Sequence, residues 1–223
     1  SGVNALTALH IGSKDDEGLK RTVHTAVIIC LAGGILITVF GILFSHNILA
    51  LMNTKDELID GAVLYLRIYL LGMPALGLYN FGNAVLSAAG DTKRPLYYLA
   101  FAGVVNVILN LFFVIVCHLG VAGVALASMI SQFISAFLIL RALLTGKEKY
   151  CLRLSEIRFD KRKAVGILQI GIPSAFQYSL FAFANLFVQS SVNSFDHVLV
   201  EGNSAAANAD PLVYDMMAAF YTA

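Results

Sequence analysis

The chain alternates long apolar stretches with short polar ones, and the lengths of the stretches decide the architecture. Residues 22–44 hold no ionisable side chain except His24. Residues 62–89, with Arg67 near the start, 97–117, 120–144, with Arg141 near the end, and 165–195 make four more apolar runs. A helix needs about 20 apolar residues to cross a hydrocarbon core, whereas a membrane strand needs about 10, alternating in character. These runs are too long for strands and are apolar on every side. In lipid, moreover, a helix satisfies its own backbone. The pattern predicts an all-α integral membrane protein: a polytopic helical bundle of about five complete transmembrane helices. Residues 1–11 read as the tail of an earlier helix and 205–223 as a further one cut short, which puts partial helices at both ends. The first methionine is Met52, and the chain is expected to be an internal segment of a longer protein.

Glycine and proline punctuate the runs consistently. Gly90 follows the second run where a helix C-terminal glycine belongs, and Pro95 falls in the first turn of the third, where its missing N–H is harmless. Pro173 is placed near the start of the fifth. Pro74 lies inside the second run and predicts a kink, with a carbonyl freed one turn back. Gly33, Gly34, Gly120, Gly123 and Ala127 are expected to let helices approach closely.

Charge then orients the bundle. Thirteen of the fifteen Lys and Arg fall in or beside segments 12–21, 90–95 and 145–163, leaving Lys55 and Arg67 elsewhere. By the positive-inside rule those three segments are cytoplasmic and 45–61 is outside. Arg67 is expected to snorkel to the outer interface, and His24 and His118 to be solvated near membrane ends. Hydrophobic residues make up 58% of the chain and charged ones 13%, against roughly half and a quarter in soluble domains, so lipid is the solvent. The net charge of +1 offers nothing to nucleic acid. The three cysteines lack metal-ligand or paired spacing and read as small apolar fillers. There is no Walker, nucleophile-elbow, zincin or dinucleotide fingerprint, so the chain is not read as an enzyme, and transport without a nucleotide site would draw on an ion gradient.

Several stretches resemble the multidrug and toxic compound extrusion (MATE) transporters, in order and over nearly the whole chain. The turn A-x-G-D-T-K-x-P at 88–95, the pair Asn106 and Asn110, and GVAGVALAS at 120–128 resemble the family's fourth-to-sixth helix region. GIPSAFQYSLFAFANLFVQSSVNSF at 171–195 is similar to its seventh helix, GNSAAANAD at 202–210 to the start of the eighth, and IGSKDDEGLKR at 11–21 to the loop after the second. Asp196 and Asp215 depart from the family pattern. The resemblance implies twelve helices in two lobes. Residues 1–144 would then be part of the N-terminal lobe, 145–163 the cytoplasmic lobe-linking loop, and 164–223 the start of the C-terminal lobe. It implies a secondary antiporter of the plasma (inner) membrane that exports organic, often cationic, compounds by alternating access. Na⁺ or H⁺ would be the coupling ion, with no other cofactor. A lipid-linked saccharide flippase of the same superfamily and a non-transporting membrane fragment are the alternatives. The flippase would need a strongly basic cavity, which the runs do not supply.

Polar groups are costly in lipid, so each is a candidate. Asn106 and Asn110, spaced i and i+4, share a helix face. They either help to hold an ion, beside an acid that the resemblance places on the family's first helix, or bridge helices. Gln177, Asn185 and Gln189 share one broad face of the fifth run, and the resemblance makes that face part of the central cavity. Asp215, in the truncated last run, is the remaining candidate.

Overall fold

The computed structural model of the protein describes residues 2–51, 56–146 and 148–192. Residues 1–171 form one unit and 172–223 a second. Every regular element among the described residues is helical: α1 (Gly2–Gly12), α2 (Asp16–Leu51), α3 (Asp56–Leu70), α4 (Met73–Ala88), α5 (Lys93–Leu111), α6 (Gly120–Thr145) and α7 (Lys161–Val192). A π-helical turn, Phe112–Val116, extends α5. Four helices are long and apolar enough to cross a membrane, and α3 with α4 makes a fifth span, bent by 43°. These are the five expected runs.

Local chemistry sets the helix ends. Lys14 adopts a left-handed conformation (φ 56°) after α1, and Asp15 Oδ1 then accepts the Gly18 N–H at 2.9 Å, capping α2. Gly90 (φ 86°) closes α4 as a C-terminal glycine, while Asp91 accepts the Arg94 N–H at 3.2 Å and starts α5. Tyr79 donates its buried hydroxyl to the Pro95 carbonyl at 3.0 Å, tying α4 to the first turn of α5.

The kink expected at Pro74 is a full break, Leu71–Gly72, with Pro74 in the first turn of the new helix. The carbonyl one turn back is that of Leu70, and the Thr38 hydroxyl of α2 donates to it at 2.6 Å. In lipid this freed acceptor would otherwise stay unpaired. α2 approaches the break very closely: a Cβ on Gly34 would lie 2.6 Å from the Pro74 Cα, and one on Gly77 would lie 2.8 Å from the Cys30 carbonyl oxygen. Around this contact, Phe81, Val85 and Leu86 of α4 pack with Val23 and Ala26 of α2 and with Ile139 and Leu143 of α6. The other expected small-residue contacts divide. Gly123 and Ala127 pack, but a Cβ on Gly33 or Gly120 would meet nothing; Gly33 is turned away from Gly34's partner, and Gly120 (φ 53°) serves a turn.

Two further expectations change, those for His24 and Pro173. His24 is buried, 3% exposed, and its Nε2 accepts the Arg153 N–H at 3.2 Å, so the loop and not water satisfies it. Arg67 is exposed and donates its Nε–H to Ser45 Oγ at 2.9 Å. α7 begins at Lys161, which places Pro173 in the helix interior instead of near its start.

The basic segments gather at one end. Lys149 pairs with Asp16 at 2.6 Å and Lys20 with Glu156 at 3.3 Å, while Thr25 Oγ1 accepts the Asp160 N–H at 3.0 Å. Arg94 and Asp91 act electrostatically on Tyr150 in the same segment, whose hydroxyl burial pushes its pKa up. The topology prediction is direct. With Cys30, Cys117 and Cys151 replaced by serine, an impermeant thiol reagent applied to intact cells should label Asn53→Cys and spare Ser155→Cys. The opposite pattern would invert the orientation.

Candidate functional site

A polar seam runs inside the membrane-spanning part of the first unit. α5 places Asn106 and Asn110 one turn apart, and α6 places Ser128 and Gln132 one turn apart. Asn110 donates from Nδ2 to Asn106 Oδ1 at 3.0 Å, and Asn106 donates from its own Nδ2 to Ser128 Oγ at 3.5 Å. The chain of amides therefore uses one oxygen internally and leaves the other. Asn110 Oδ1 is buried and has no hydrogen-bond partner among the described residues, and neither does Gln132 Oε1. Gln132 reaches the α3–α4 break: a Cβ on Gly72 would lie 1.9 Å from its Oε1. Leaving a buried acceptor unmet costs about 1–3 kcal/mol. Neutral carbonyl oxygens suit a hard cation or the proton of a carboxylic acid. The π-helical turn begins two residues past Asn110, and Cys117 N–H donates to the Phe112 carbonyl at 3.1 Å. Such insertions are frequent at functional sites.

The first unit thus brings together two of the expected site residues, Asn106 and Asn110, and adds Ser128 and Gln132. Gln177 and Asn185 belong to the second unit, where both are exposed on α7. Gln189 lies in α7 with its side chain outside the described residues, and Asp215 lies outside them altogether. Ser128 carries little sequence signal, because a lone serine in a small-residue run reads as packing. Its partnership with Asn106 depends on the α5–α6 crossing.

A sequence model described as MatE matches residues 1–112. The chain belongs to the MatE family. Among relatives of this MatE chain, the probable multidrug resistance protein YpnP of Bacillus subtilis is 30% identical over 203 residues, 91% of this chain and 45% of that protein. The probable multidrug resistance protein YoeA of Bacillus subtilis is 31% identical over 204 residues, 87% of this chain and 44% of that protein. An inward-facing multidrug resistance MATE family transporter of the MOP superfamily matches with a TM-score of 0.72 at 26% identity, covering 78% of this chain and 40% of that one. A MATE structure in a bent conformation shares the fold, with a TM-score of 0.85 at 23% identity over 95% of this chain and 48% of that one. The MatE chain spans about half the length of the relatives it matches. The family is one of membrane transporters, not enzymes, and this chain is integral to the membrane.

At the basic end of the bundle, charged side chains are held by specific partners. A hydrogen bond from Lys20, helped by Arg153, keeps the Glu156 carboxyl below the usual carboxylate range. The Lys163 backbone N–H does the same for Asp160, with Arg162 N–H and Arg21 adding to it. The Gly18 N–H lowers Asp15.

Proposed function

We propose that the chain is the ion-linked part of a secondary antiporter that exports organic, often cationic, compounds in exchange for Na⁺ or H⁺ by alternating access. The observation that carries this reading is Asn110 Oδ1: buried within a membrane span, beside the Asn106–Ser128 bridge, and without a donor among the described residues. A structural bridge would consume its polar atoms, whereas an ion-linked site keeps an acceptor in reserve. The names of the relatives support export of organic compounds. Arg67 stands near the start of its apolar run, and one base there does not make the strongly basic cavity that a lipid-linked saccharide would need. In alternating access the coupling ion shifts the populations of inward- and outward-open states through its different affinity for each.

The test is reconstitution of the full-length protein in liposomes with an imposed Na⁺ gradient, or separately an H⁺ gradient, and a fluorescent organic cation. One of the two gradients is expected to drive accumulation above that of empty liposomes. Movement indifferent to both would overturn the reading.

A further inference from the structure

The basic end of the bundle contains a cleft of about 600 Å³ between the first turns of α2 and the end of the 145–163 segment. The amide seam does not use it. Its acids are already committed: Glu17 pairs with Arg21, Asp160 with Arg21 at 3.6 Å, and Glu156 with both Lys20 and Arg153 at 3.3 Å. Arg158 and Lys161 line the same cleft, and among the described residues no acid pairs with either. Four bases and three acids line the cleft, a net charge of +1, and Arg158 and Lys161 are its two bases not held by an acid. Between them in sequence stand Asp160, which Arg21 holds, and Phe159, a lining residue that is 58% exposed; Leu154, one residue before the lining Ser155, is 71% exposed.

Position selects the ligand. Lys161 is the first residue of a helix long and apolar enough to cross a membrane, so the cleft opens at the depth of the headgroups. A soluble anion would satisfy Arg158 and Lys161 but would leave Phe159 and Leu154 in water. A phospholipid meets both needs, with its phosphate on the bases and its glycerol and upper acyl region against the apolar side chains. Basic clusters next to a membrane helix attract anionic lipid, and aromatic side chains favour the interface.

We propose that this cleft binds the headgroup phosphate of an anionic phospholipid from the leaflet it faces, the cytoplasmic one by charge partition, with Arg158 and Lys161 as phosphate ligands and Phe159 at the acyl boundary. The test uses the full-length protein in nanodiscs of phosphatidylcholine with a fixed share of phosphatidylglycerol, and counts the lipids retained after repurification by mass spectrometry. Phosphatidylglycerol should be enriched. Arg158→Gln and Lys161→Gln should each weaken its retention roughly fivefold. Glu17→Gln removes an acid from the cleft and should strengthen retention, an opposite sign that no folding defect would imitate. A tryptophan introduced by Phe159→Trp should be quenched by lipids brominated near the glycerol end of the acyl chain. Equal retention of the two lipids would overturn the proposal, as would enrichment indifferent to all three charge variants. So would displacement of the lipid by inorganic phosphate, which would assign the cleft to a soluble anion.

Discussion

On the antiporter function proposed above, Asn110→Leu in the full-length protein should weaken the hold on the coupling ion roughly ten- to a hundredfold, the worth of one good contact between an amide oxygen and a charged partner. Leucine fills similar volume but removes both the free Oδ1 and the donor that fixes Asn106. Membrane-embedded amide bridges contribute only about 0.6 kcal/mol on average, so protein abundance should change little while gradient-driven efflux collapses. Asn106→Leu should have a similar but smaller effect, because it removes the positioning partner and the long contact to Ser128. The decisive measurement is efflux per unit of protein, titrated against the concentration of the driving ion. A fall in efflux that merely tracks a fall in abundance would make the pair a packing device.

Gly34→Leu should strongly destabilise the first unit. The new Cβ would meet backbone, 2.6 Å from the Pro74 Cα and 2.9 Å from the Met73 carbonyl oxygen, and neither atom can rotate away. Overpacking of this kind costs about 1–3 kcal/mol when side chains yield, and backbone yields less. Forcing α2 off the break would also pull the Thr38 hydroxyl away from the Leu70 carbonyl. Gly33→Leu is the matched control, since nothing lies within 4 Å of its Cβ position. Thermal unfolding of the detergent-purified protein should drop sharply for the first variant and barely move for the second. Equal shifts would show that the α2–α4 contact is not what holds this region.

Run length and charge were enough to read the five spans and the gathering of basic segments, because both signals are summed over many residues. The helix ends at Gly90 and Pro95 were also legible, since each follows from one residue's backbone chemistry. What escaped were contacts that only the packed helices create. Pro74 announced a kink, but Gly72 and the Thr38 hydroxyl turned it into a break with its carbonyl satisfied. His24 looked like a solvated interfacial side chain because nothing local says that residues far along the chain return to cover it. Pro173 looked like an N-terminal proline because the apolar run starts at 165, while the helix itself begins in the basic stretch at Lys161. In the site, the i, i+4 spacing of Asn106 and Asn110 was visible, but the internal consumption of one amide oxygen and the sparing of the other were not.

The stretch from Lys149 to Asp160 is fastened along its length to the beginning of α2, through Asp16, Lys20, His24 and Thr25. It behaves as a fitted part and not as slack between two halves. Anyone dividing the gene into co-expressed pieces should therefore not cut in the polar stretch that invites it. A break there would strip the partners from His24 and Thr25 and leave a polar sequence to find its way back unaided. A junction C-terminal to α7, so that the membrane-spanning helix stays whole, leaves those fastenings within one polypeptide.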